Sequence, residues 1–253
     1  VFMIDAKGGY IKDGAKNRLR EQDIRRIVDA WQAQRDVPHY ARFVPMEEIE
    51  RNDYNLNIPR YVSAPDTEIL QDIDAHLHGG LPKHDIDQFD TYWEVCPSLC
   101  DDLFCDYPTR KGYYSLKCNP EAVRDAVTGN VDFRNQKEVF QKSFAGWCDS
   151  HRAQLYALVP GFAPKKLIER LGNSLLAVFE VDKSLVEAYD VYDGLMNYWG
   201  ETMQDDCYMI SSGGWTVQLY TPQPASKKKE KKAATPEDVV CDLLPVPIVI
   251  DEY

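Results

Sequence analysis

The chain opens on a short apolar run followed by a turn. Residues 1–4 (VFMI) are all apolar, Asp5 closes the run, and Gly8 and Gly9 follow. A continuous apolar run of this length is typical of a strand buried on both faces, as in parallel sheets covered by helices. The pattern therefore predicts a strand from inside an α/β sheet, although the residues that follow do not supply its neighbours.

Helical periodicity begins soon afterwards. Residues 7–19 have the composition of a turn-rich loop. The next segment predicts an amphipathic helix over residues 20–34 whose apolar face carries Ile24, Ile27, Val28 and Trp31. Pro45 suits the first position of a short helix that ends near Asn52. An extended segment is expected after it, because the residue before Pro59 is biased away from the helical region.

From Asp66 onward the pattern is predominantly helical. It predicts helices over residues 66–79, 85–99 and 119–129, then a longer helix, then helices over residues 164–179 and 183–203. Asp66 is expected to cap the first of them. The side chains expected to face inward are Ile69, Leu70, Ile73, Leu77, Ile86, Phe89, Trp93, Val139, Phe140, Phe144, Trp147 and His151. The last helix carries a stripe of Tyr189, Tyr192, Leu195, Met196, Trp199 and Met203.

The end of the chain departs from this pattern. Residues 207–210 (CYMI) and 215–220 (WTVQLY) flank a glycine-bearing turn and predict a small β-hairpin. A Lys-rich segment near residues 222–236 reads as a solvated loop. The closing apolar segment predicts a helix only after Pro247, because a proline interrupts a helix interior.

Composition and charge narrow the possible functions. The 253 residues are 44% hydrophobic and 28% charged, and the formal net charge is −12. Because non-specific binding to nucleic acid depends on Lys and Arg, an extended DNA-binding surface is not expected, although a local contact or a protein partner is compatible with this charge. The seven cysteines form no C-x-x-C pair, and no signal peptide or long apolar span is evident. These features favour a reducing cytoplasm.

Several residue groups are candidates for a site, and each has a simpler structural interpretation. Gly8 and Gly9 after a strand are compatible with a phosphate loop, but neither G-x-G-x-x-G nor G-K-[ST] is present. The KKKEKK run is compatible with phosphate contact but is more typical of a solvated loop. The aromatic stripe of the last helix is more typical of a core than of a base-stacking platform.

The candidate metal and acid–base residues also have simpler structural interpretations. Metal binding would need imidazoles from His76, His78 and His84 with carboxylate from Asp85 or Asp87, or the four cysteines Cys96, Cys100, Cys105 and Cys118. We expect solvent-facing or capping histidines and buried free thiols instead. The acidic pairs Asp101–Asp102 and Asp205–Asp206 are expected from composition alone in a chain with 41 carboxylates.

Five segments, in order, change this interpretation. They are VFMIDA at residue 1, DYNLNIPRYV at 53–62, GGLPKHDID at 79–87, YDVYDGLMNYWGETMQDD at 189–206 and DLLPVPIVIDEY at 242–253. Together they resemble the C-terminal part of the modification (M) subunit of type I restriction-modification systems, from residue 1 to residue 253. The N-I-P-R-Y segment is the most characteristic of them.

The resemblance implies a parent protein that methylates adenine N6 in DNA with S-adenosylmethionine. It also implies assembly with a specificity subunit, which reads the DNA, and with a restriction subunit in the full complex. Such enzymes hold the cofactor in a glycine-bearing loop and grip the flipped adenine with N-P-P-[FY]. Neither motif is present here, and Asn119 is followed by a single proline, so no catalytic, cofactor-binding or metal residue is assigned. The chain is expected to be inactive alone, with no cofactor bound.

The resemblance also sets the expected organisation. Residues 1–62 would be the end of a Rossmann-like methyltransferase domain, and residues 63–253 a mainly α assembly domain with a small β-hairpin. PIVIDEY would begin a helix that contacts the specificity subunit. The structural or interface candidates are Asn55, Asn57, Pro59, Arg60 and Tyr61. An alternative is a stand-alone, non-catalytic helical interaction module, since the chain from Asp66 onward is helical and acidic and carries no catalytic motif.

Overall fold

The computed structural model describes residues 1–63, 71–180 and 184–216, with the short strands at 219–220 and 240–241 and residue 243. Several predictions lie outside the described residues: the cap Asp66, the core positions Ile69 and Leu70, the Lys-rich segment and the helix after Pro247. The chain divides into two compact units, Val1–Ala145 with Val178–Asp193, and Gly146–Ala177 with Gly194–Tyr253.

The described residues are mainly helical, as predicted. The helices are α1 Glu21–Ala33, α2 Met46–Arg51, α3 Ile73–His78, α4 Lys83–Asp87, α5 Asp90–Val95, α6 Pro97–Leu103, α7 Val123–Gly129, α8 Val131–Tyr156, α9 Pro164–Phe179, α10 Ala188–Tyr198 and α11 Gln204–Gly213. Two 3-10 turns occupy Ile58–Arg60 and Pro120–Ala122, and a π-helical turn occupies Trp199–Met203. None of the helices in the described part of the chain is long and apolar enough to cross a bilayer.

The strands are short and antiparallel. They are β1 Phe2–Ile4, β2 Ile11–Asp13, β3 Lys16–Arg18, β4 Ala41–Phe43, β5 Leu81–Pro82, β6 Phe104–Asp106, β7 Tyr113–Leu116, β8 Leu219–Tyr220 and β9 Val240–Cys241. They form the pairs β1–β4, β2–β3 and β8–β9 and one three-stranded sheet in the order β5–β7–β6. The hairpin β2–β3 lies in a segment that we expected to be a loop.

The opening strand is present, but its surroundings correct the expectation of burial on both faces. β1 pairs antiparallel with β4, with Phe2 opposite Phe43 and Met3 opposite Arg42. Met3 is buried, whereas Phe2 and Ile4 are only partly buried. The parallel Rossmann-like sheet stays a prediction, since the described residues supply only this antiparallel partner.

Two clusters of described residues contribute to the core of the first unit. One joins Met3 to Val44, Ile49, Tyr61 and Val62, each with at most 6% of its surface exposed. The other is built on Cys96, Leu99 and Leu103 and includes Trp93, Phe104 and Cys118. Cys96 is therefore a buried packing residue, as expected for a free thiol, and the partly buried Cys118 packs against the same cluster.

The second unit is organised around α9. Pro164 occupies the first helical position, and Leu167, Leu171 and Leu175 follow at four-residue spacing with at most 2% exposure. Burial of a leucine of this kind stabilises the fold by about 1.5–3 kcal/mol. Leu167 and Leu171 pack against Trp199 and Cys207, so the aromatic stripe contributes to the core as expected.

Further predictions about individual segments are wrong. CYMI (207–210) lies within α11, and the strand Leu219–Tyr220 pairs with Val240–Cys241 instead. Ile73 and Leu77 are 71% and 73% exposed, so the face of α3 that was expected to be buried is open to solvent. Along α8, Val139 and Phe144 are 60% and 40% exposed. Helical spacing identifies an apolar face correctly, but it does not show whether another element covers that face.

Candidate functional site

The segment DYNLNIPRYV (53–62), called the N-I-P-R-Y loop below, begins with an unusual reversal of the chain. Asp53 and Tyr54 both have left-handed backbone angles, with φ of 54° and 57°. This conformation costs a non-glycine residue roughly 1–2 kcal/mol. The cost is offset by backbone hydrogen bonds from Asp53 N–H to Glu50 O at 3.0 Å and from Tyr54 N–H to Ile49 O at 2.9 Å.

Side-chain hydrogen bonds then hold the loop in one shape. The Asn55 side-chain oxygen accepts a hydrogen bond from the Asn57 backbone N–H at 2.9 Å. The Tyr61 hydroxyl donates to the Asn55 carbonyl oxygen. Arg60 N–H donates to the Asn57 carbonyl at 3.0 Å, which closes the 3-10 turn at Ile58–Arg60. The segment expected to be extended is therefore a compact turn.

The loop is anchored in the core of the first unit. Tyr61 and Val62 are each 3% exposed and pack with Met3. Arg42 makes two hydrogen bonds to the Glu48 carboxylate, at 2.9 and 2.8 Å, and its guanidinium also donates to the Tyr61 carbonyl. The loop geometry is consequently tied to β1 and α2.

The five predicted residues divide into two groups. Tyr61 and Asn55 maintain the shape of the loop, while Asn57, Pro59 and Arg60 have side chains open to solvent. The interface role of these residues stays a prediction. The structure adds two residues that the sequence analysis missed, Tyr54 at 63% and Leu56 at 59% exposure. Their only signal in the sequence was their position inside the quoted segment.

The turn at Gly8 and Gly9 borders a cavity of about 470 Å³ in the first unit. Its lining includes both cations, such as Arg20 and Arg26, and carboxylates, such as Asp23. The Asp23 carboxylate accepts hydrogen bonds from the Arg20 backbone N–H and guanidinium, each at 2.9 Å, and this bonding lowers its pKa. The glycine turn therefore lies near a carboxylate and an arginine that are already paired with each other, and this arrangement does not favour phosphate binding.

The histidines and cysteines do not converge. His78 contacts Asp74 at 2.9 Å and His84 contacts Asp85 at 3.1 Å, and both contacts are solvent-accessible. Within the described ranges, no group of three or more His, Cys, Asp or Glu side chains is placed to hold a metal ion. The expectation of buried thiols is met by Cys96 but is wrong for Cys105, which is exposed, and Cys100 is only partly buried.

The remaining candidates have structural roles. The Asn119 side chain accepts a hydrogen bond from Glu121 N–H and caps the turn at Pro120–Ala122. The Asp102 carboxylate accepts one from the Asn130 side chain at 2.7 Å. The Tyr189 hydroxyl donates to Asp29 at 3.1 Å, and burial together with that carboxylate raises the pKa of Tyr189 to about 12. Such a phenol is unsuited to proton transfer near neutral pH.

Comparison with protein families identifies the part of the chain that contains this loop. Residues 1–69 match the model of the N-6 DNA methylase family. That stretch covers β1, α1, α2 and the whole N-I-P-R-Y segment.

Curated relatives agree with this match. The type I restriction enzyme MjaVII methylase subunit of Methanocaldococcus jannaschii is 45% identical over 58 residues, 23% of this chain and 10% of that protein. The MjaVIII methylase subunit of the same organism is 36% identical over 66 residues, 25% of this chain and 11% of that protein. Over the aligned residues the chain is M-subunit-like.

A more distant relative extends the comparison beyond one organism. The MpnII methylase subunit of Mycoplasma pneumoniae is 27% identical over 64 residues, 25% of this chain and 12% of that protein. The aligned part of the chain thus spans about a tenth of the length of the curated relatives it matches. No solved structure matches the chain. The resemblance predicted from the sequence is confirmed to the extent of these matches.

Proposed function

We propose that this chain is the C-terminal part of a type I restriction-modification M subunit. In the parent protein, a complete methyltransferase domain would transfer a methyl group from S-adenosylmethionine to adenine N6 in DNA. Residues 1–62 would close that domain, and residues 63–253 would assemble with the specificity subunit in the cytoplasm, with the restriction subunit joining the full complex. The match of residues 1–69 to the N-6 DNA methylases carries the proposal.

The surface around β1 supports a role for the first residues in a larger domain. Phe2 lies opposite Phe43 on the sheet, and the Phe2 ring is 6.4 Å from the Trp31 ring. Phe43 and Trp31 are each 57% exposed, and Ile24 on the same face of α1 is 44% exposed. Exposed apolar side chains grouped in this way are typical of a contact with another protein element. The remainder of a methyltransferase domain would cover it.

The N-I-P-R-Y loop supports an interface role. Its backbone is held by internal hydrogen bonds, while Tyr54, Leu56, Asn57 and Arg60 project into solvent from that rigid base. A preorganised loop loses little conformational freedom on binding. Aromatic and arginine side chains also contribute most to protein interfaces. We assign this loop to a contact within the methyltransferase assembly.

Methyl transfer tests the enzymatic part of the proposal. The full-length parent with its specificity subunit and labelled S-adenosylmethionine is expected to methylate adenine in duplex DNA. The present chain with the same partners is expected to transfer none, because it contains neither the cofactor loop nor N-P-P-[FY]. Methylation of DNA by the chain alone would contradict the proposal.

Co-purification tests the assembly part separately. An N57A/R60A variant of the parent is expected to lose affinity for the rest of the assembly, since both side chains are exposed and removing them leaves the core intact. K12A/K16A is the matched control, because both lysines lie on the exposed hairpin β2–β3. If both variants assemble as well as the parent, the loop has no interface role.

A further inference from the structure

The first half of α8 presents a basic surface on a strongly acidic protein. Arg134, Lys137 and Lys142 are all exposed, and Asn135 and Gln141 lie beside them with exposed amides. In a chain of net charge −12, this outward concentration of cations runs against the overall composition. None of the three cations has a carboxylate within 4.0 Å among the residues that the structure describes.

Two carboxylates near the start of α8 form hydrogen bonds within the first unit. Asp132, at the start of the same helix, turns inward, and its carboxylate accepts hydrogen bonds from the Ser98 backbone N–H at 2.8 Å and hydroxyl at 2.6 Å. Asp102 is likewise bonded to the buried Asn130. Both carboxylates are therefore engaged in internal hydrogen bonds. Glu138 is also exposed on this stretch of α8 and lies four residues from both Arg134 and Lys142, so the surface defined by the three cations includes one carboxylate.

We propose that this surface, defined by Arg134, Lys137 and Lys142, contacts the phosphate backbone of DNA. Arg134 and Lys142 are separated by about 12 Å along the helix axis, given a rise of about 1.5 Å per residue. One DNA strand presents a phosphate roughly every 3.4 Å along its axis, so the surface can follow about three phosphates. The amides of Asn135 and Gln141 add donors, which are common in backbone contacts.

The inference is independent of the proposed methyltransferase assignment, because it rests on charge and exposure in α8 alone. Fluorescence anisotropy of a labelled duplex with the full purified chain at low salt measures it. Each phosphate contact is expected to add about 0.9 to the slope of log affinity against log salt. An R134Q/K137Q/K142Q variant should therefore lose about two to three units of slope and bind at least about tenfold more weakly.

Two further variants make the result decisive. E138Q removes the carboxylate from the surface and is expected to strengthen binding and steepen the salt dependence. K12Q/K16Q/R18Q removes as many cations from the exposed hairpin β2–β3 and is expected to leave the slope unchanged. Circular dichroism checks that all variants retain the fold.

The opposite results overturn the inference. These are no measurable binding at low salt, an equal loss of slope in the hairpin variant, or unchanged binding by both α8 variants. Because Val139 and Phe144 are also exposed on α8, the same variants would be measured against the specificity subunit. Weakening there with unchanged DNA binding would assign the surface to a protein partner and refute the DNA contact.

Discussion

Tyr61 connects the candidate loop to the core, so its replacement is a direct test of the structural argument. The side chain is 3% exposed, packs with Met3 and Ile49, and bonds through its hydroxyl to Asn55. Tyr61→Ala removes a buried ring and leaves a cavity, which costs about 3–5 kcal/mol for aromatic residues. Tyr61→Phe keeps the ring and removes only the hydrogen bond, so a loss of about 1 kcal/mol is expected.

Urea unfolding followed by far-ultraviolet circular dichroism measures these differences in the free energy of unfolding. Tyr54→Ala is the matched control, because Tyr54 lies in the same loop at 63% exposure, and its replacement should change stability by less than about 0.5 kcal/mol. If Tyr61→Ala cost no more than Tyr54→Ala, the loop would not be anchored in the core. If Tyr61→Phe cost as much as Tyr61→Ala, the hydroxyl bond, and not packing, would account for the stability.

Three other predictions concern the rest of the chain, and urea unfolding measures the first two. Gly9→Ala should lose about 1–3 kcal/mol of stability, because the new Cβ would lie 2.4 Å from an Asp23 carboxylate oxygen. Gly8→Ala should be neutral, because no atom lies within 4 Å of a Cβ at that position. Equal costs for the two variants would contradict this prediction. Asn130→Ala should lose about 2 kcal/mol of stability, because that buried side chain caps α8 and donates two hydrogen bonds. A cost near zero would show that these hydrogen bonds do not stabilise the fold. At about pH 8 iodoacetamide should modify exposed Cys105 but not Cys207, since burial raises the pKa of the Cys207 thiol to about 11. Mass spectrometry of the peptides measures the modification, and modification of Cys207 before Cys105 would contradict the prediction.

Helices were the most predictable part of the fold. The predicted helix over 164–179 coincides with α9, because Leu167, Leu171 and Leu175 repeat at helical spacing and Pro164 marks the start. CYMI was misassigned because a short apolar run fits a strand or a buried helix equally well. Packing decided the matter, since Cys207 and Ile210 are both buried from α11.

The candidate site was only partly predictable. The N-I-P-R-Y motif located the loop, but it did not distinguish Tyr61, which is buried, from Arg60, which is exposed. That difference depends on Met3 and Val44, which are distant in sequence and close in space. The exposed Tyr54 was missed because no local pattern distinguishes an apolar side chain in a turn from one in a core.

The sequence alone determined the mainly helical class and the likeness to type I methylase subunits. Both follow from local information, namely the spacing of apolar residues and the order of short motifs. Tertiary structure decided which apolar faces are buried, which polar side chains cap helices, and which charges remain outside. Asp132 illustrates the reason, because its partner Ser98 lies 34 positions away and only folding brings the two together. Burial and hydrogen bonding are properties of the surroundings of a residue, and those surroundings are assembled from distant parts of the chain.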